Sequence, residues 1–276
     1  PPVKNSAGEL SLEVFQPRTP GELSLALSEL KPDLGVAVAY GRLINKEALA
    51  IPRLGFLNVH FSLLPKYRGA APVQRALING ETMTGVTVFW LDEGMDTGPV
   101  FAAREVPIGP DDYAPELFKK TSDAGLDLLG FCLAEIAVGR IVKTPQAGGV
   151  KFAPKIVPAD TCLDFNGPAA AARNLVRGLA CGPRARFKIP VNGRPVVVQA
   201  LRCSLAPGRR GHLAARCPHG ARPGVITAIE KEKGFYIQCN DGELLVEEVQ
   251  PEGKKPMRAL DFLHGARLKA GDRIWE

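Results

Sequence analysis

A continuous apolar run from Leu34 to Ala39 most constrains what this chain can become. A run of that length, bounded by turn formers, suits a strand covered on both faces, as parallel strands are. Around it, strand and helix signals alternate. Thr19 to Leu30 predicts a helix, with Thr19 as N-cap, Pro20 at the first helical position and Glu22 at the third. Lys46 to Ala50 predicts a short helical turn stopped by Pro52. Residues 55–61 predict a second strand. Ala70 to Leu77 predicts a helix with Pro72 in its first turn, ended by Asn79-Gly80. This order implies an α/β fold built on a Rossmann-like open parallel sheet, whose ligands bind beyond the carboxyl ends of the strands.

The second strand carries the chemistry. In Gly55-Phe56-Leu57-Asn58-Val59-His60-Phe61, successive side chains alternate faces, so Asn58 and His60 project to the same side. A carboxamide that donates hydrogen bonds and an imidazole that titrates near neutrality would share one cleft, as acyl transfer requires. Taken alone, the pair equally fits a polar strand end. Further on, Gly85 to Leu91 and Gly98 to Val106 read as strands. Between them, Asp92-Glu93-Gly94-Met95-Asp96-Thr97-Gly98 makes two consecutive Asp/Gly turns, more than a hairpin needs. Such a loop can lean the Asp96 carboxylate over the strand end that holds His60. Glu116 to Val138 carries the longest helical periodicity.

Gly139 to Pro158, rich in Gly, Pro and Lys, reads as a linker. The expected organisation is a catalytic domain over 1–139, a linker over 140–158 and a second domain over 159–276. In that second domain a helix at 168–179 precedes short strands with turn signals at Val191-Asn192-Gly193, Pro223-Gly224 and Asn240-Asp241-Gly242, which predict a small OB-like β-barrel. Residues 206–222, rich in Gly, Pro, Arg and His, read as a loop.

Charge divides along the same line. Residues 1–139 hold 12 Lys/Arg and 17 Asp/Glu, a net of −5, whereas the rest hold 23 and 12, a net of +11. A basic half beside a mildly acidic one suggests a polyanion-binding appendage on a catalytic domain. The six cysteines are scattered without a Cys-x-x-Cys pair, which fits a reduced, cytoplasmic setting. The spacing of Cys203, His212, Cys217 and His219 matches no common zinc pattern, and no metal is expected. No apolar run approaches the roughly 20 residues of a membrane span.

The motifs Asn58-x-His60, Ser62-Leu63-Leu64-Pro65-x-x-Arg68-Gly69 and Asp92-x-Gly94-x-Asp96-x-Gly98 together resemble the 10-formyltetrahydrofolate-dependent formyltransferases. Ala70-Ala71-Pro72, Asn79-Gly80-Glu81, Gly85-Val86-Thr87 and Pro251-Glu252-Gly253-Lys254-Lys255-Pro256-Met257 make the likeness strongest to those acting on methionyl-tRNA. It runs over essentially the whole chain. The resemblance implies that Asn58, His60 and Asp96 are catalytic. It implies folate contacts at Ser62, Leu63, Leu64 and Pro65, with a pterin pocket around Tyr40, Gly41, Arg42, Leu43 and Ile44. It implies 10-formyltetrahydrofolate as formyl donor, initiator methionyl-tRNA as partner and a monomeric, cytoplasmic protein with no membrane association. Phosphate contacts would fall among Arg202, Arg209, Arg210, Arg216, Arg222, Lys254, Lys255 and Arg258.

Two departures stand out. Members of this family open with a further strand, a Gly-containing turn and a basic loop, whereas this chain begins Pro1-Pro2 at the segment after them. An unpaired sheet edge is therefore expected. Ala180-Cys181-Gly182-Pro183-Arg184 replaces the family's aromatic-and-proline stretch. The rival reading is the same chemistry on a UDP-linked 4-amino sugar, which shares the Asn/His/Asp core. Formyltetrahydrofolate hydrolysis and RNA binding without catalysis are further alternatives.

Overall fold

The computed structural model describes residues 2–206 and 222–274. Its first part runs α1 (Pro2–Glu9), α2 (Pro20–Leu30), β1 (Gly35–Ala37), α3 (Lys46–Leu49), β2 (Phe56–His60), α4 (Pro72–Ile78), β3 (Met83–Trp90), β4 (Val100–Pro107) and α5 (Ala114–Ala137). The four strands form one sheet in the order β1-β2-β3-β4. The helix starts follow their local chemistry. Thr19 caps α2 by accepting the Glu22 amide, and Pro20 and Pro72 occupy first-turn positions where no amide hydrogen is needed.

Parallel pairing holds between β1 and β2 only, and β2, β3 and β4 pair antiparallel, so the sheet is mixed. The Asp92–Gly98 loop turns β3 back on itself as β4, and a hairpin forces the antiparallel arrangement. One face is filled by Leu57, Val59, Val86 and Val88 against Leu117, Leu128 and Cys132 of α5. The Leu34–Ala39 run is less covered than its composition suggests. Val36 and Val38 are 42% and 48% exposed, because β1 pairs with β2 on one side only among the described residues.

Residues 139–157 contain no helix or strand, yet they do not hang free. Thr144 and Val100 exchange both backbone hydrogen bonds at 2.7 and 2.9 Å. Arg68 N–H donates to Lys151 O, Ala153 N–H donates to Arg68 O, and Ala71 N–H donates to Ala153 O. The segment is thus stitched along the loops that follow β2 and precede β4.

The second part holds α6 (Ala169–Gly178), β5 (Arg186–Val191), β6 (Arg194–Leu205), β7 (Ile226–Glu230), β8 (Gly234–Gln238), β9 (Glu243–Pro251), β10 (Met257–Arg258) and α7 (Ala259–Ala266). Its strands pair antiparallel in the order β5-β6-β9-β8-β7, with β10 beside β9. Asn192 and Gly193 both take positive φ, making the tight turn that joins β5 to β6. Register shifts on either side of Arg202 bend the twelve-residue β6. Ala172 and Val176 of α6 pack on Ile189, Val198, Ile237 and Leu244 in a second core.

Polar contacts lock α6 to the first part. Arg177 donates to the Asp112 and Gly109 carbonyls, and Arg173 donates to Pro110 O and Asp111. The Tyr113 hydroxyl donates to Cys203 O at 3.0 Å and accepts from Cys203 N–H at 3.1 Å. Burial pushes that phenol up to about 12, so it stays a neutral donor.

Candidate active site

Strand alternation delivers both residues of the Asn-x-His pair to one cavity of about 660 Å³, beyond the carboxyl end of β2. Asn58, His60 and Asp96 all line it. Tyr40, Gly41, Arg42, Leu43 and Ile44 form another wall, and Leu49, Phe118, Gln74 and the 91–96 loop are also part of the lining. The volume and mostly apolar walls suit a flat heterocyclic ligand, with a few polar groups to orient it.

His60 is buried, and each ring nitrogen has a distinct neighbour. Nε2 lies 2.8 Å from the carbonyl oxygen of Tyr67, which can only accept, so Nε2 carries a hydrogen. Nδ1 faces Asp96 Oδ2 at 3.7 Å and is the nitrogen left to gain or lose a proton. The Phe89 ring meets the imidazole edge-on, 6.4 Å between centroids. The Asn58 carboxamide makes no hydrogen bond among the described residues and remains available to a ligand.

Asp96 stands at φ +54°, a left-handed conformation uncommon outside glycine. Its Oδ2 accepts the Gly69 amide at 2.7 Å, while Oδ1 makes no hydrogen bond among the described residues. Two glycines permit this geometry. A Cβ on Gly98 would sit 1.8 Å from Trp90 O. A Cβ on Gly69, at φ +120°, would sit 2.7 Å from Ala153 O. Asp92 organises the other turn, accepting from Gly94 N–H and the Thr97 hydroxyl.

Ser62, Leu63, Leu64 and Pro65 do not line the cavity. The Ser62 hydroxyl closes on Lys66 O at 2.6 Å, Thr87 Oγ1 donates to Ser62 O and accepts from Leu64 N–H, and Leu63 packs on Gly85 of β3. This stretch builds the turn that brings Tyr67 O and Gly69 N–H to the site. Tyr67, at φ +62°, is itself held from behind. Its hydroxyl donates to Glu81 at 2.6 Å and accepts from Asn79, and Lys151 pairs with Glu81 at 3.0 Å across the Tyr67 ring. The Tyr67 hydrogen bond, aided by Lys151, holds the Glu81 carboxyl below its usual range.

The site also contains a residue that no motif announced. The Gln146 side chain reaches in from the 139–157 segment and donates from Nε2 to Asp96 O at 2.8 Å and Gly98 O at 2.9 Å. Its composition there, Thr-Pro-Gln-Ala-Gly-Gly, signals only a turn.

Of the residues expected to meet phosphates, Lys254 and Lys255 are exposed in the turn between β9 and β10. Arg222 is exposed, Arg258 pairs with Asp261, and Arg202 lies 3.7 Å from Glu247. Arg209, Arg210 and Arg216 lie outside the described residues, as do His212, Cys217 and His219. No cluster of metal-ligating side chains occurs among the described residues. No helix among them is long and apolar enough to cross a membrane.

An open α/β sheet with an amide, an imidazole and a carboxylate in one cavity, followed by an antiparallel β domain, is the layout of a formyl-transferring enzyme. The family described as formyl transferase matches residues 4–130, and its C-terminal domain matches residues 155–267. The chain is 40% identical to the methionyl-tRNA formyltransferase of Elusimicrobium minutum, covering 99% of this chain and 86% of that protein. It is 41% identical to the enzyme of the same name from Symbiobacterium thermophilum, covering 99% and 81%. Among solved structures, methionyl-tRNA formyltransferase from Clostridium thermocellum shares the fold with a TM-score of 0.56 at 20% identity, covering 72% of this chain and 82% of that one. The chain belongs to the methionyl-tRNA formyltransferase family.

Proposed function

We propose that this protein transfers the formyl group of 10-formyltetrahydrofolate to the free amino group of initiator methionyl-tRNA, and that Asn58, His60 and Asp96 carry out the transfer. The observation that carries the reading is the convergence of these three side chains on one cavity, with Asn58 unpaired and His60 fixed in tautomer. The wall from Tyr40 to Ile44 would take the pterin ring. Lys254, Lys255, Arg209 and Arg210 would meet tRNA phosphates, positioning the RNA without reading its sequence. Domain boundaries at 139 and 158 and a monomeric, cytoplasmic protein complete the proposal.

The chemistry follows from the free valences. An α-amino group with a pKa near 8 is largely protonated at neutral pH and must lose a proton before it attacks. Asp96 Oδ1 is the open acceptor for that cation. As the amine adds to the formyl carbon, the carbonyl oxygen becomes negative, and the unpaired Asn58 amide is placed to donate to it. His60 cannot turn Nε2 to this task while Tyr67 O holds it, so its mobile proton is the one on Nδ1. Asp96 Oδ2 faces that nitrogen at 3.7 Å, and the proton passes from Nδ1 to the folate nitrogen as its bond to the formyl carbon breaks. No covalent enzyme intermediate is needed.

Asn, His and Asp alone would serve an amino sugar equally well. The 40% identity to methionyl-tRNA formyltransferases and the basic second half favour tRNA. The deciding experiment offers formyl-labelled 10-formyltetrahydrofolate with methionyl initiator tRNA and a UDP-linked 4-amino sugar in competition. Label on methionine supports the proposal. Label on the sugar, or released as formate with both acceptors present, would overturn it.

A further inference from the structure

Gln146 satisfies every hydrogen-bonding position of its amide, and it does so between the two loops that carry the site. Oε1 accepts twice from Arg68, from Nε at 3.1 Å and Nη2 at 2.6 Å. Nε2 spends its two hydrogens on the carbonyls of Asp96 and Gly98. These contacts fix the amide's orientation, because a flipped side chain would set an oxygen against two carbonyls and an NH₂ against a guanidinium. Arg68 has no carboxylate partner among the described residues, so Gln146 is what orients it.

The chain around Gln146 is anchored on both sides. Thr144 pairs with Val100 just past the 92–98 loop, and Lys151 and Ala153 pair with Arg68. Asp96 needs such support. A non-glycine residue at φ +54° is strained and persists only where its surroundings over-determine it. The Gly69 amide holds the Asp96 side chain, and Gln146 holds its main chain.

We infer that Gln146 is a positioning residue for the reaction. It clamps the Asp96–Gly98 backbone to Arg68, and so sets where the Asp96 carboxylate stands relative to His60 Nδ1. The inference rests on the reading of Asp96 given above. It adds a role for a segment whose sequence signals only a linker.

Two variants and two readouts test it. Gln146→Glu keeps the volume and the Arg68 pairing but turns oxygen toward the two carbonyls. Gln146→Leu removes both sets of bonds. The first readout, hydrogen exchange of peptides covering 92–99, is independent of turnover. Exchange at least about tenfold faster in either variant is expected, and unchanged exchange in both would overturn the inference. The second readout is kinetic. Both variants should lower kcat by about 10- to 100-fold, the scale of a misplacement near 1 Å, with KM for both substrates within about twofold. In an Asp96→Ala background, Gln146→Leu should cost nothing further, because no carboxylate remains to be placed. A loss that simply adds to that of Asp96→Ala, or a change confined to KM, would overturn the inference. Should Gln146→Leu fail to fold, Gln146→Glu decides by exchange and by the kcat–KM split. An unaltered protein that transfers no formyl group would count against the proposed function, while the exchange result still judges the clamp.

Discussion

Tyr67 offers its backbone carbonyl to His60 Nε2 at 2.8 Å, and this one hydrogen bond decides which imidazole nitrogen is free to move a proton. That proton must travel on Nδ1, the side facing Asp96. The site is therefore polar on two opposite sides of one ring, a fixed acceptor behind and an adjustable carboxylate in front.

The Asn58 side chain makes no hydrogen bond among the described residues, so its loss should be felt chiefly in the transition state. Asn58→Ala is expected to lower kcat by roughly 10²–10³, the usual cost of one oxyanion donor. Its thermal midpoint should stay within a degree or two of the parent. A drop in stability with unchanged kcat would contradict the assignment.

Two glycine substitutions should have opposite signs. Gly98→Ala drives a Cβ to 1.8 Å from Trp90 O and should destabilise by about 2–4 kcal/mol or prevent folding. Gly130 lies within α5 with nothing within 4 Å of a new Cβ, so Gly130→Ala should stabilise by about 0.5–1 kcal/mol. Urea unfolding of both variants checks the pair.

Alternation placed Asn58 and His60 on one side, and paired Asp/Gly turns marked the Asp96 loop, so the polar core of the site was legible in the sequence. The supporting contacts were not. Ser62 to Pro65 builds a turn around Thr87, a contact with a strand more than twenty residues on that no local pattern announces. Gln146 was illegible for a related reason. Its partners are backbone carbonyls and an arginine far away in sequence, which leave no periodicity. The burial of the 34–39 run was overstated because composition reports what a strand can cover, not how many strands flank it.

The Tyr67–Glu81–Lys151 group gives a pH signature. The folded Glu81 carboxyl lies below its ordinary value of 4.5, chiefly through the Tyr67 hydrogen bond. Its stabilising contribution is therefore complete above that value and disappears as pH falls through the lowered one. Glu81→Gln should cost thermal stability near neutral pH, and the difference from the parent should vanish on acidification. A difference that grows toward acid pH would show the sign to be wrong.

Lys254 and Lys255 are exposed where the second part turns between β9 and β10. Changing both to Glu should raise KM for tRNA and lower the salt slope of tRNA binding by about 1 for each phosphate the turn no longer neutralises. KM for the folate donor should not move. An unchanged slope would remove this turn from the RNA footprint.

The most direct test of the account is the single-turnover rate of formyl transfer to methionyl-tRNA in His60→Ala, with tRNA binding followed in parallel. The account predicts a loss of at least roughly 10²-fold in rate with binding unchanged, because His60 touches the reaction and not the RNA. A variant that transfers formyl as fast as its parent would contradict the central claim that this cavity and this imidazole perform the chemistry.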